Sequence, residues 1–236
     1  MIRISKDVWH RLYLGGIAFT IIAFSTVFLL ALPPRYSPVG PVSLDDSLGP
    51  FSGKKLAALR QNPAACARTI GLSKLKTEPL PDKHEGGFCA LTHAVLVKQS
   101  FYPYSRELRI SCPLASALYV WERSVVTQAA ARHLDSAVVE IEMFGAYSCR
   151  RMYGAKEGKI SEHATGNAID VSGFKLANGK EILVDKQWRA NSPESDFLHE
   201  VRDRGCTVFQ TVLSPDYNAA HHNHLHFDMG AYKVCR

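Results

Sequence analysis

Hydrophobic positions follow three rhythms along this chain. From Leu12 to Leu32 they are continuous: "LYLGGIAFTIIAFSTVFLLAL" carries no charged residue, and about 20 such residues are what an α-helix needs to cross a bilayer. Arg3, Lys6 and Arg11 precede the run, so the positive-inside tendency holds residues 1–11 in the cytoplasm and sends the rest across. A cleaved signal peptide shares that orientation and basic start. The run is longer than a signal core, however, and ends in "LLALPPRYSP" without a small-x-small cleavage site. An uncleaved anchor over 12–32 is therefore the expectation.

Beyond the anchor the apolar rhythm stops. Residues 33–53, "PPRYSPVGPVSLDDSLGPFSG", are rich in Pro, Gly and Ser and lack helical periodicity, which predicts a linker that holds the folded domain, 54–236, off the membrane. Within that domain "KKLAALRQNPAACARTIGL" reads as helix broken near Pro63, and "ALTHAVLVK" as a strand. A longer helix starts at Pro113, with Leu114, Leu118, Trp121, Val125 and Ala129 recurring at helical spacing as its core face. "SAVVEIEMFG" and "TVFQTVL" predict strands, and "PESDFLHEVRDRGC" a short helix with an acidic first turn. Helices toward the start and strands toward the end give an α+β domain with a small, mainly antiparallel sheet and flanking helices, preceded by one transmembrane helix.

Composition adds the compartment. The six cysteines, at 66, 89, 112, 149, 206 and 235, all lie beyond the anchor and none forms a CxxC pair. An even set of this kind reads as disulfides in an oxidising space. Sequence does not choose among the pairings; favouring neighbours gives Cys66 with Cys89, Cys112 with Cys149 and Cys206 with Cys235. The net charge of +6 is scattered, not gathered into a basic stripe with aromatics, so no nucleic-acid partner is expected. An anionic wall polymer or membrane surface suits it equally well.

The third rhythm is alternation. In "HHNHLHFDM", four of the ten histidines fall within residues 221–226. As a strand, "NHLHFDM" puts His224, His226 and Asp228 on one face and Leu225, Phe227 and Met229 on the other. A solvated polar run and a metal or catalytic site both remain open from this stretch alone. Further ligands are offered by "SEHATGNAIDVSGF", residues 161–174. There, Gly166 supplies a turn that lets His163 and Asp170 face one site while Ile169 and Val171 face the core. Ala164, Gly166 and Ala168 are small enough to leave room for an ion and an extended substrate. Two histidines and a carboxylate form a known catalytic zinc set with a coordination position open; zinc there lowers the pKa of water and polarises a carbonyl.

SxHxxGxAxD (Ser161, His163, Gly166, Ala168, Asp170) followed by HxxHxH (His221, His224, His226) resembles the metallopeptidase superfamily of lysostaphin-type enzymes, D-alanyl-D-alanine peptidases and the hedgehog fold. "YSCRR", "SEHATGNAIDVSGF", "FLHEVRDRGCTVFQTVLSPDYNAAHHNHLHFDMG" and the final "CR" resemble one branch more closely, the bacterial extensin-like C-terminal domain family, over most of 60–236. The resemblance implies a D-Ala-D-Ala-peptidase or hedgehog-like fold and Zn2+ held by His163, Asp170 and His226. His224 is implied as general base or charge stabiliser, with His221 lining the pocket. Many dipeptidases of the superfamily carry glutamate three residues before the last zinc histidine; Asn223 stands there in this chain, which points toward the HxxHxH branch that includes murein endopeptidases.

Arg150 resembles the arginine that some members use on the transition-state oxyanion, with a structural role as the alternative and Arg151 as a substitute. Ser161 orients His163 or its turn, and Asp228 is a candidate to hold a site histidine from behind. His222 faces away, and His84, His93, His133 and His199 read as ordinary; Tyr147 and Tyr217 read as aromatic packing before substrate contact. The expectation is a periplasm-facing, inner-membrane-anchored zinc hydrolase that cuts peptidoglycan stem peptides or crosslinks, with protein partners unassigned. A zinc-containing wall-binding module without hydrolysis is the main rival. A metal-dependent nuclease, suggested by the letters "HNH", is disfavoured because those three residues are consecutive.

Overall fold

The computed structural model describes residues 6–236; residues 1–5, including Arg3 of the basic flank, lie outside the described residues. Helix α1 (Lys6–Ala31) is continuous, has a mean hydropathy of 2.2 in its most apolar stretch and buries none of its residues. It is long and apolar enough to cross a membrane. Its two threonines return their hydroxyls to the carbonyls of Gly16 and Ile22, each at 2.8 Å, so neither is left without a partner in an apolar surrounding.

The stretch 33–53 is not the free tether its composition predicts. Leu44 is 1% exposed and belongs to the core. Arg123 donates from Nη1 to Leu44 O (2.7 Å) and from Nη2 to Asp45 O (2.8 Å), and the Tyr119 hydroxyl donates to Asp45 Oδ1 at 2.8 Å. Lys55 Nζ donates to Pro34 O at 2.9 Å. Prolines exclude a helix here, but they leave backbone carbonyls free to accept, and the domain supplies the donors. The segment is thus a strap docked on the domain.

The strap ends in α2 (Ser52–Ala58), and α3 (Pro63–Gly71) follows Asn62, whose side chain caps it through Ala65 N. Strands β1 (Lys76–Pro79), β2 (Lys83–Glu85), β3 (Cys89–Leu91), β4 (Ala94–Gln99) and β5 (Leu108–Ser111) come next, with β1, β4 and β5 in one antiparallel sheet and β2 and β3 in a hairpin. "ALTHAVLVK" is therefore two strands. His93, at φ 51°, breaks it, and Asp82 Oδ1 accepts its N–H at 3.0 Å.

Helix α4 (Cys112–Trp121) starts under the Ser111 cap, opens into a π-turn over Glu122–Val126 and continues as α5 (Thr127–His133). Leu114, Leu118, Trp121, Val125 and Ala129 are all buried, as their spacing predicts. The remaining elements are β6 (Val138–Gly145), β7 (Ala168–Leu176), β8 (Glu181–Leu183), α6 (Val184–Gln187), α7 (Pro193–Gly205), β9 (Thr211–Leu213), β10 (Leu225–Asp228) and β11 (Val234–Cys235). Their sheet runs β11-β9-β10-β7-β6, with β8 beside β7, and every pairing but β11 with β9 is antiparallel. The architecture is α+β, as expected. "TVFQTVL" is shorter than expected as a strand, because residues 207–210 are consumed by the turn out of α7.

Trp121 is the centre of the core. Its ring lies 5.0 Å from Phe227, 6.0 Å from Phe209 and 6.2 Å from Phe174, and its Nε1 donates to Val201 O at 3.2 Å. Aromatic pairs at such distances stabilise beyond their buried area.

Two of the three neighbour-favouring disulfides are corrected. The bonds are Cys66–Cys112, Cys89–Cys149 and Cys206–Cys235. Packing of α3 on α4 brings Cys66 to the first turn of α4, while β3 passes beside the loop that follows β6 and meets Cys149. Closeness in sequence misleads here because each bond joins separate elements.

Glu122, in the π-turn, is wholly buried. Its Oε2 accepts from Ser100 Oγ (2.6 Å), Phe101 N (2.8 Å) and Tyr102 N (3.2 Å), and its Oε1 from the Tyr104 hydroxyl (2.6 Å). Burial pushes the carboxyl up to about 7, against these four donors. A raised carboxylic pKa favours the fold below the ordinary carboxylate range, and that benefit is lost as pH rises through about 7. In Glu122→Gln, the amide oxygen keeps the three bonds to Oε2, and its NH2 donates to Tyr104. Denaturant titrations of the full chain in detergent should show wild type losing roughly 2 kcal/mol more than Glu122→Gln between about pH 5.5 and pH 8.

Candidate metal centre

Strands β7 and β10 pair in the register Leu225↔Val171, His226↔Asp170, Phe227↔Ile169 and Asp228↔Ala168. Alternation then sorts the residues: Ile169, Val171, Leu225, Phe227 and Met229 sink into the core, and Asp170 and His226 stand side by side on the other face. His163 arrives from a 3-10 turn, Glu162–Thr165, capped by Ser161, whose hydroxyl accepts from His163 N. Gly166 ends that turn at φ 63°, where a Cβ would run into Leu91. The glycine therefore serves the left-handed turn and close packing. Ala164 and Ala168 are fully buried as well, so the room for substrate expected at these small residues lies elsewhere.

Three donor atoms converge. His163 Nε2 is 3.2 Å from His226 Nδ1 and 3.2 Å from Asp170 Oδ1, and His226 Nδ1 is 3.0 Å from Asp170 Oδ1. Among the described residues these three form a group able to hold a metal ion. Two ligands on a tetrahedral ion with bonds near 2.0 Å are separated by about 3.3 Å, so the trio has zinc-like spacing and chemistry. The far sides of both rings are also tied down. His163 Nδ1 donates to Ala146 O at 2.7 Å, and His226 Nε2 donates to Asp228 Oδ2 at 3.1 Å, while Asp228 Oδ1 accepts from Gly230 N at 2.8 Å. Such outer partners fix which ring nitrogen faces an ion.

His224 and His221 stand beside the trio. His224 Nε2 is 3.4 Å from Asp170 Oδ1, and its Nδ1 donates to Asn223 Oδ1 at 2.9 Å. His221 Nδ1 donates to Asn218 Oδ1 at 2.7 Å, and its ring lies 5.2 Å from that of His224. Arg150 Nη2 is 3.8 Å from Asp170 Oδ2. Arg151 turns away, its guanidinium 4.6 Å from the Phe88 ring centre. His222 is exposed and bonded to Ala219 O. Tyr147 pairs with Glu85, whereas Tyr217 joins the cleft wall.

Burial and charge act in opposition here. Burial resists ionisation of Asp170, but the bonds and charges of His163 and His226 outweigh it and hold the carboxyl well below its usual range. Burial likewise resists charging of His226, yet Asp170 and Asp228 lift it to about 9. His221 is pushed down to about 4 by burial and by its histidine neighbours, and His224 is lowered chiefly by burial. The Asp170 carboxylate thus faces a protonated His226, with the His221 and His224 imidazoles neutral near pH 7 beside them.

A cleft of about 590 Å³ opens on the centre. Arg150, Tyr153, Lys159, Tyr217, His221 and Tyr232 are among the residues that line it. Sequence reading missed Asn218, Tyr153, Lys159 and Tyr232. Only Asn218 carried a signal, as a side-chain cap ahead of "AAH". Residues 64–236 match the family described as "Extensin-like protein C-terminus". No curated protein and no solved structure matches the chain.

Asp228→Asn weakens the hold on the back of His226 without removing a donor atom. Zinc titrations should show affinity lowered about 10- to 100-fold. Because His226 carries a proton below about 9 in the metal-free chain, zinc binding near pH 7.5 should release about one proton into the buffer.

Proposed function

The chain belongs to the extensin-like C-terminus family, and from that premise we propose that it is a membrane-anchored zinc hydrolase that cleaves peptide amide bonds of peptidoglycan. The observation that carries the reading is the set of three donor atoms on His163, Asp170 and His226, 3.0–3.2 Å apart. The motif spacing likewise supports a place beside the D-alanyl-D-alanine peptidases and the lysostaphin and hedgehog folds.

Zinc held by the three residues would polarise a substrate carbonyl and acidify a water molecule. The protein supplies the rest. Asn223 keeps a proton on His224 Nδ1 and so leaves Nε2, the atom nearest Asp170, free to take a proton from the attacking water. In this chain the residue at the dipeptidase glutamate position thereby acts through its neighbour. His221 stays neutral at pH 7 and adds no repulsion to the positive charge that develops. Arg150, with its side chain 44% exposed beside Asp170, reaches the cleft as a cation for the oxyanion.

The anchor helix and the three disulfides support placement on the oxidising face of an inner membrane, the periplasm. The docked strap keeps the domain close to that membrane, which suits remodelling of nearby wall material.

The purified chain should hold one zinc and convert crosslinked muropeptides to shorter products by mass spectrometry. His224→Ala should lower kcat/KM about 10²- to 10⁴-fold with zinc retained. Full zinc occupancy without product from wild type, across several crosslink types, would instead mark a wall-binding module.

A further inference from the structure

Residues 150–161 form a hairpin beside the cleft. Its stem is closed by Ser161 N donating to Arg150 O (3.3 Å), the Arg151↔Ile160 bridge and Met152 N donating to Lys159 O (3.0 Å). Its base is pinned by the Cys89–Cys149 disulfide. The tip holds Gly154 at φ 68° and Gly158 at φ 102°, both with open space around them. Tyr153 sits at φ 57°, a left-handed conformation costly for a tyrosine, and its side chain is largely exposed. Such strain persists where other contacts hold it.

Those contacts run from the hairpin to other residues at the cleft. Asn218 Nδ2 donates to the Tyr153 hydroxyl at 3.2 Å. At the other end, Lys159 Nζ lies 5.3 Å from the centre of the Tyr232 ring. The hairpin is thus tied to the residues around the cleft at two points, through one hydrogen bond at Tyr153 and one cation–π contact at Lys159, each a weak interaction that breaks at little cost. Asn218 also faces inward: its Oδ1 accepts from His221 Nδ1 and from Ala220 N. One amide therefore holds the hairpin with its nitrogen and a site histidine with its oxygen.

We propose that residues 151–160 are a lid that opens to admit an extended peptide, and that Asn218 is a positioning residue that orients His221 when the lid closes. Naming the peptide rests on the hydrolase reading; the lid and its coupling do not. The face it turns to the cleft carries Met152, Tyr153 and Ile160, all exposed, so closure also covers apolar surface once a chain lies beneath it.

Hydrogen exchange of the zinc-loaded full chain in detergent reads the lid without any assay of activity. Tyr153→Phe with Lys159→Gln should speed exchange of the Met152, Gly154 and Ala155 amides, which are hydrogen-bonded within the hairpin, about tenfold. Tyr153→Phe alone should also speed exchange at Ala220 and His221, which lie on the far side of Asn218. Unchanged lid exchange in the double variant overturns the lid; a loosened lid with an unmoved 219–222 turn overturns the coupling. In muropeptide kinetics, Asn218→Ala should lower kcat about tenfold with KM little changed, and adding Tyr153→Phe should cost nothing further. Additive losses, or a loss in KM alone, contradict a positioning role. Should wild type show no hydrolysis, the exchange results still decide the lid while the hydrolase reading fails separately.

Discussion

The antiparallel pairing of β7 with β10 is the constraint on which the rest depends. Its register sets His226 opposite Asp170, and the two-residue period of a strand does the sorting. Every residue that flanks a candidate ligand on either strand is apolar and buried against the Trp121 cluster. A slip of one residue would turn Asp170 and His226 into the core and their apolar neighbours out to the cleft. The core therefore selects the site's register, and the cost of misalignment is borne by Phe227, Ile169, Leu225 and Val171.

Placing a carboxylate and several imidazoles at the edge of such a core demands partners. The structure meets that demand from backbone and side chains that lie outside the trio: Ala146 O behind His163, Asp228 behind His226, Asn223 behind His224 and Asn218 behind His221. Each partner also chooses which nitrogen is left to face the cleft. Satisfying these buried polar groups and orienting the candidate ligands are here one arrangement. The disulfides extend it outward, since Cys89–Cys149 fixes the chain one residue before Arg150.

Much of this was legible in the sequence because it follows from local periodicity. The alternation in "NHLHFDM", the turn at Gly166 and the helical spacing from Leu114 to Ala129 each depend on neighbours a few residues apart. What escaped depends on distant contacts. The strap looked like a tether because Pro and Gly describe only what the backbone cannot do, and the groups that receive Leu44 and Asp45 lie on α4 and its π-turn. Cysteine spacing gives Cys206–Cys235 but not Cys66–Cys112 or Cys89–Cys149 for a similar reason, as the packing of α3 on α4 is not written in it. Tyr153, Lys159 and Tyr232 acquire meaning only when the fold brings a hairpin and the C-terminal segment together at the cleft.

The proposed function stands or falls with His163, Asp170 and His226 as joint ligands of one zinc ion. Anomalous diffraction at the zinc edge from crystals of the zinc-loaded chain would locate that ion. One strong peak is expected about 2.0–2.2 Å from His163 Nε2, His226 Nδ1 and an Asp170 carboxylate oxygen. A peak held instead by His84 or His93, or none at the trio under saturating zinc, would contradict it.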